Sequence, residues 1–395
     1  MLGAITGDII GSIYEFNNIK TKDFELFGPD CRFTDDTVLT VAVADWLTNR
    51  GDLVERLTHY AFKYNNRCYG GMFKKWVSQW DRQPYKSWGN GSAMRVSAVG
   101  WIAKDEDEVF ELAKASAEVT HNHPEGIKGA QATALAIYIA KRGAGKEYIR
   151  QAITDFTDYD LTESVDEIRE WYYFNASCQK TVPQAITCAL EATDFEDAIR
   201  NAISIGGDSD TVAAITGSIA EAMFGIPEWI KTEARSYLPD EFCEVTNQLT
   251  ECAKQPETPI SQEIITAYGA ANYRVFSQMP FVLKIGQPSE PLRNLHEEHC
   301  CAYSAFITGW NPYSVVASDA ENVKEHTRLE NKLMKRSLPF IAGIGEDSAG
   351  IWPGEQSVLV LGIALDEAKS LGMEFSQNAI VWSGEDATPQ LILLR

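Results

Sequence analysis

Gly206-Gly207-Asp208-Ser209-Asp210-Thr211 runs without a break into Val212-Ala213-Ala214-Ile215-Thr216-Gly217-Ser218-Ile219-Ala220-Glu221-Ala222-Met223-Phe224. The second half of this stretch is apolar, rich in Ala and Gly, and ends at Gly225 with Pro227 just beyond. That is a helix with a normal stop. Far upstream, Phe33-Thr34-Asp35-Asp36-Thr37 runs the same way into Val38–Leu47. Two acidic, hydroxyl-rich helix starts therefore frame a helical region, and the fold reading works outward from them.

Between and around them, Val109–Val119, Ala130–Ala140 and Pro183–Ala192 also read as helices, and strand signals are weak. Gly3, Gly7 and Gly11 recur at a helical spacing of four in Gly3–Phe16, which reads as a tightly packed buried helix. Asp8 inside that apolar run needs a partner. Residues 1–255 are thus expected to form an all-α domain. Ala253-Lys254-Gln255-Pro256-Glu257-Thr258-Pro259 reads as a linker. Beyond it, Phe281–Ile285, Ala302–Thr308, Ser357–Ile363, Ala379–Trp382 and Leu391–Leu394 read as strands. Asn322–Arg336 and Leu365–Leu371 read as helices. Residues 262–395 are expected to be a smaller α+β domain.

A formal net charge of -21 repels phosphate backbones and argues against nucleic acid as a partner. No apolar run approaches transmembrane length, and Met1 lacks the basic flank of a signal peptide. Eight scattered cysteines without a CxxC pair read as reduced thiols, so the expected compartment is the cytoplasm.

Taken alone, either acidic motif reads as a helix cap. Taken together they do not. Adjacent carboxylates at a helix start repel unless a cation lies between them, and here that arrangement occurs twice. Their ligands are all oxygen, which suits Mg²⁺ or Mn²⁺. Neither motif contains His or Cys, which argues against zinc. Ser87-Trp88-Gly89-Asn90-Gly91-Ser92-Ala93-Met94-Arg95 reads either as a turn or as a phosphate-binding loop. Thr120-His121-Asn122-His123-Pro124-Glu125-Gly126 reads as a polar turn in which His121 contacts substrate rather than metal. Glu15 reads either as a solvated residue or as a base at a cleft.

These segments, in this order, resemble the ADP-ribosylglycohydrolase family. The resemblance covers roughly residues 1–250 and implies an all-α fold with two Mg²⁺ or Mn²⁺ ions. It implies Thr34, Asp35, Asp36, Asp208, Asp210 and Thr211 as metal ligands. It implies that Ser87, Trp88, Gly89, Asn90, Gly91 and Ser92 wrap the ADP-ribose diphosphate and that His121 lines the ribose pocket. Glu15 matches the glutamate that gates the site and handles protons in serine-type members; Asp35 and Asp36 are the other carboxylates expected to move protons. Trp88 stands where the family commonly carries another residue. The second domain resembles a small bacterial domain of unassigned function through Ile307–Pro312, Gly354–Ser357 and Phe375–Ala379. Trp310, Trp352 and Trp382 read as its core or as a recognition surface, and Arg274 and Glu355 as a pair or a ligand contact.

The function implied is metal-dependent hydrolysis of the N- or O-glycosidic bond linking ADP-ribose to a protein side chain, with an ADP-ribosylated protein as substrate. One alternative is an immunity protein that neutralises a cognate ADP-ribosyltransferase toxin by occluding its active site, with or without hydrolysis. Another is a metal-dependent hydrolase of a free ADP-ribose derivative.

Overall fold

The structure, a computed structural model, describes residues 1–253, 260–346 and 354–394. Most of the linker segment and Trp352 lie outside the described residues. The chain splits into two compact units, Met1–Lys141 with Lys146–Gln255, and Arg142–Gly145 with Pro256–Arg395.

The first unit is helical. Its centre is the helix Ser209–Phe224, which packs against Leu2–Gly11, Pro124–Lys141, Cys178–Glu191 and Phe195–Ser204. Every residue of Leu2–Gly11 is buried. Its glycine stripe is the reason it lies where it does. A Cβ at Gly3, Gly7 or Gly11 would stand 2.1, 2.0 or 2.5 Å from backbone atoms of Gly217, Ala213 or Asp210. The two backbones touch, and only glycine permits that approach.

Several surface helices start with caps of the ordinary kind. Asp52, Asp105 and Asp194 each accept the backbone N–H three residues on, at 2.8 Å. The helix containing Pro183 begins at Cys178, so the proline lies in its second turn and does not open it.

The second unit holds a seven-stranded antiparallel sheet: β1 Asn272–Val275, β2 Phe281–Leu283, β3 Ser304–Thr308, β4 Phe340–Glu346, β5 Glu355–Leu361, β6 Ala379–Ser383 and β7 Pro389–Leu393. The order is β2-β1-β4-β5-β3-β6-β7. Helices cover both faces. Ala305, Ile307, Val358 and Val360 meet Leu329, Leu333 and Leu371 on one side. Phe306, Leu359, Leu361 and Val381 meet Leu292 on the other. That two-sided burial explains why the strands read as apolar runs rather than as alternation.

Two strands, β1 and β4, and the helices Gln262–Ala270 and Glu290–Glu298 go beyond the sequence reading. β4 hides behind Gly343 and Gly345, which normally signal a loop. A Cβ at Gly343 would meet Arg274 O at 2.5 Å and the Phe306 ring at 2.7 Å, so the glycine serves close packing. Arg274 pairs with Glu346 at 3.2 Å, not with Glu355, which accepts from Asn311 Nδ2 at 2.7 Å. Trp382 is half-buried against the core. Trp310 is also half-buried, and its backbone carbonyl accepts from Gln377 Nε2 at 3.0 Å.

No helix among the described residues is long and apolar enough to cross a membrane.

Candidate metal and substrate site

Asp8 lies in the middle of the buried N-terminal helix, and its partner is the start of the helix Asp35–Asn49. Thr34 donates to it from its backbone N–H at 2.9 Å and from its hydroxyl at 2.6 Å. Thr37 donates from its N–H at 3.1 Å and also from its hydroxyl. Four donors compensate one fully buried carboxyl group. Thr34 is also a cap, accepting Asp36 N–H at 3.2 Å. The capping reading therefore holds for Thr34, and the Asp35 and Asp36 carboxylates take no part in the cap.

Asp208 behaves differently from the surface caps. It occupies the N-cap position of Ser209–Phe224, yet its side chain makes no cap hydrogen bond. It accepts instead from Asn90 Nδ2 at 2.7 Å. The two preceding glycines take positive φ, +69° at Gly206 and +84° at Gly207. A Cβ at Gly207 would meet the Tyr172 ring at 2.4 Å. Asn18 fixes this turn from both sides, donating to Gly207 O at 2.9 Å and accepting Gly207 N–H at 2.7 Å. The same amide donates to the carbonyls of Tyr14 and Glu15. Asn18 thus ties the Glu15 turn to the Gly-Gly turn.

The two acidic motifs meet. Thr211 donates its hydroxyl to Asp36 Oδ2 at 2.9 Å. One oxygen each from Glu15, Asp208 and Asp210 lie within 4.8 Å of one another. Asp36, Asp208 and Asp210 are buried; Glu15 and Asp35 are half-buried. Burial first, then neighbouring carboxylates, pushes the acids up. Asp35 rises to about 8, helped by Asp8, Asp208 and Glu15. Glu15 rises to about 7, helped by Asp208 and Asp8 and opposed by Arg32. Asp36 and Asp210 stand well above the usual carboxylate range for the same reasons. Burial also raises Asp208, against the Asn90 hydrogen bond that lowers it. A cluster of acids that mutually resist ionisation calls for positive charge among them.

The glycine-rich loop adjoins this cluster. Asn90 and Ser92 turn inward: Asn90 holds Asp208 and Thr181, and Ser92 donates to Gly126 O at 2.7 Å. Two of the loop's N–H groups serve the fold, Asn90 N–H to Ala176 O at 2.8 Å and Gly89 N–H to Ser87 Oγ at 3.1 Å. Ser87, Gly89 and Gly91 are half-buried, and Trp88 presents an exposed ring 5.5 Å from that of His123. His121 is buried with its Nε2 edge toward the loop. A Cβ at Gly91 would lie 3.2 Å from Nε2, and one at Gly89 3.5 Å.

Sequence reasoning left Asp8, Asn18 and Tyr172 out of the site. Asp8 carried a signal, a charge in an apolar helix. Asn18 and Tyr172 carried none, since their work is to brace a turn 189 and 35 residues further along the chain.

Residues 1–260 match the family described as ADP-ribosylglycohydrolase, and residues 307–380 match a protein family of unknown function, DUF3293. The mouse (Mus musculus) ADP-ribosylhydrolase ARH3 is 25% identical over 308 residues, covering 58% of this chain and 83% of that protein. The ADP-ribosylarginine hydrolase Tri1 of Pseudomonas putida is 26% identical over 278 residues, covering 60% of this chain and 73% of that protein. Among solved structures, an ADP-ribosylglycohydrolase-related protein complex aligns with a TM-score of 0.50 at 23% identity. It covers 64% of this chain and 97% of its own, and bears on the fold alone.

Proposed function

This chain belongs to the ADP-ribosylglycohydrolase family, and from that premise we propose that it hydrolyses the glycosidic bond joining ADP-ribose to a protein side chain, N- or O-linked. One observation carries the reading. Glu15, Asp35, Asp36, Asp208 and Asp210 come from three separate segments and crowd one site, where burial, joined by neighbouring carboxylates for all but Asp208, raises their pKa. An all-oxygen donor set of this kind fits divalent cations.

Asp35, Asp36, Asp208 and Asp210 would hold two Mg²⁺ or Mn²⁺ ions, with Thr34 and Thr211 supplying hydroxyl oxygens. Such ions, when bound, supply the charge that lets the carboxylates ionise together and activates water at neutral pH. The protein's own residues do the rest. Asn90 holds Asp208 in place, and Asp8 holds the Thr34–Thr37 helix start. Glu15, half-buried beside Asp208 and Asp210, is placed to take and return a proton. The Ser87–Ser92 loop and His121 receive the ADP-ribose, and Trp88 offers an aromatic face beside it. The names of the relatives, one of them an arginine-linkage hydrolase, support an ADP-ribosylated protein as substrate. Buried, clustered carboxylates favour hydrolysis over occlusion of a toxin, which would need no such cluster.

The test is release of free ADP-ribose from arginine-linked and serine-linked substrates at trace enzyme, with Mg²⁺ and with chelator. Turnover that stops with chelator and in Asp210→Ala supports the proposal. Release unchanged in Asp210→Ala, or none from either substrate at any Mg²⁺ or Mn²⁺ concentration, refutes it.

A further inference from the structure

Arg95 closes the glycine-rich segment and is fully buried. Among the described residues it is the one fully buried Arg or Lys. Its Nη2 donates to Ser116 O at 2.7 Å and to Thr120 Oγ1 at 2.8 Å. Among the described residues, Nε and Nη1 have no hydrogen-bond partner and no carboxylate pairs with the guanidinium. A buried, uncompensated cation is expensive and calls for a reason.

The reason lies one bond further on. Thr120 Oγ1 is 2.7 Å from His121 Nδ1. Arg95 fills one lone pair of that oxygen, and its guanidinium can only donate. The arrangement that leaves no proton idle has the Thr120 hydroxyl donating to Nδ1. Nδ1 is then the bare nitrogen and Nε2 carries hydrogen. Nε2 is the edge that faces Gly89 and Gly91. Burial, and next the Arg95 charge, hold His121 well below its usual range, so the ring carries a single proton.

We infer that Arg95 is a positioning residue: by donating to Thr120 it fixes His121 as the Nε2–H tautomer and so aims one N–H donor at an acceptor oxygen of the nucleotide sugar bound in the Gly89–Gly91 turn. The inference rests on the reading of that turn as the ADP-ribose loop.

The experiment uses the full chain with ¹⁵N-labelled histidine, and His121 is assigned by its missing signal in His121→Asn. Long-range ¹⁵N–¹H correlation should show protonated Nε2 and bare Nδ1. Thr120→Val should release the ring to a mixed or Nδ1–H state. It should also weaken ADP-ribose binding by roughly tenfold in calorimetry, the loss of one aimed hydrogen bond. Thr120→Ser, which keeps the hydroxyl, should rescue both. Arg95→Met, which removes the donor to Thr120, should shift the tautomer in the same direction as Thr120→Val. A wild-type ring with hydrogen on Nδ1 overturns the inference whether or not any variant folds. So does Thr120→Val with unchanged tautomer, or with a changed tautomer and unchanged affinity. If the wild-type protein shows the expected tautomer but binds no ADP-ribose, the reading of the loop fails while the Arg95–Thr120–His121 relay stands.

Discussion

Replacing Gly7 by Ala sets two well-defined effects against each other. In an isolated helix the change is favourable by about 1 kcal/mol, because alanine is the better helix former. In this fold the new methyl group would lie 2.0 Å from Ala213 O and 2.3 Å from Ala213 C. Both atoms are backbone, so no side chain can swing aside. Restoring ordinary contact needs the helices Leu2–Gly11 and Ser209–Phe224 to part by about 1.4 Å, which tight interiors do not absorb cheaply. Gly3 and Gly11 touch the same helix, so the whole seam must open. Overpacking of this kind costs about 1–3 kcal/mol, and backbone contact places it at the upper end. The net expectation is a loss of roughly 2 kcal/mol, or about 4–8 °C in Tm, followed by circular dichroism. The same displacement shifts Asp210, whose backbone Gly11 touches, so Mg²⁺ affinity should fall with stability. A Gly7→Ala protein that melts higher than wild type would refute the close-packed seam.

The remaining predictions concern charge, turn and sheet. In the metal-free protein Glu15 and Asp35 titrate near 7 and 8, above their ordinary 4.5 and 3.8, so the folded state binds more protons than the unfolded one. Stability must then fall as pH rises from about 4 to about 8, and saturating Mg²⁺ should flatten that slope; chemical denaturation at several pH values measures it. Asp36→Asn removes one of the repelling charges, so without metal it should be more stable than wild type at pH 8 while losing the stabilisation by Mg²⁺, as read by differential scanning fluorimetry. Gly207→Ala, forced against Tyr172 at a φ of +84°, should lose metal binding in calorimetry, since it displaces the turn that carries Asp208. In the second unit, Leu329→Ala removes a fully buried side chain between helix and sheet and should cost about 2–5 kcal/mol in denaturant unfolding.

The helical first unit was legible because its central helices are apolar and long, and because two acidic motifs of the same kind mark two of their starts. Glycines at 3, 7 and 11 gave the tight packing but not its partner, since a stripe of small residues does not say which backbone it touches. The β4 strand was hidden because Gly343, which packs against Arg274 and Phe306, and Gly345 two residues on look locally like a turn. The candidate site was legible in its charges and not in its scaffolding. Asp35, Asp36, Asp208 and Asp210 stand out in the chain. Of the residues that set their geometry, Asn18 and Tyr172 act across long separations and carry no local pattern, while Asn90 stood out in the glycine-rich loop but not as the partner of Asp208. Thr34 does two jobs at once, for it caps its helix and holds Asp8.

The most direct measurement is anomalous diffraction from crystals of the full chain grown with Mn²⁺. The account predicts strong peaks enclosed by the carboxylates of Asp35, Asp36, Asp208 and Asp210, absent from crystals of Asp210→Asn. An ordered site in the wild-type protein with no peak there at saturating Mn²⁺ would contradict it.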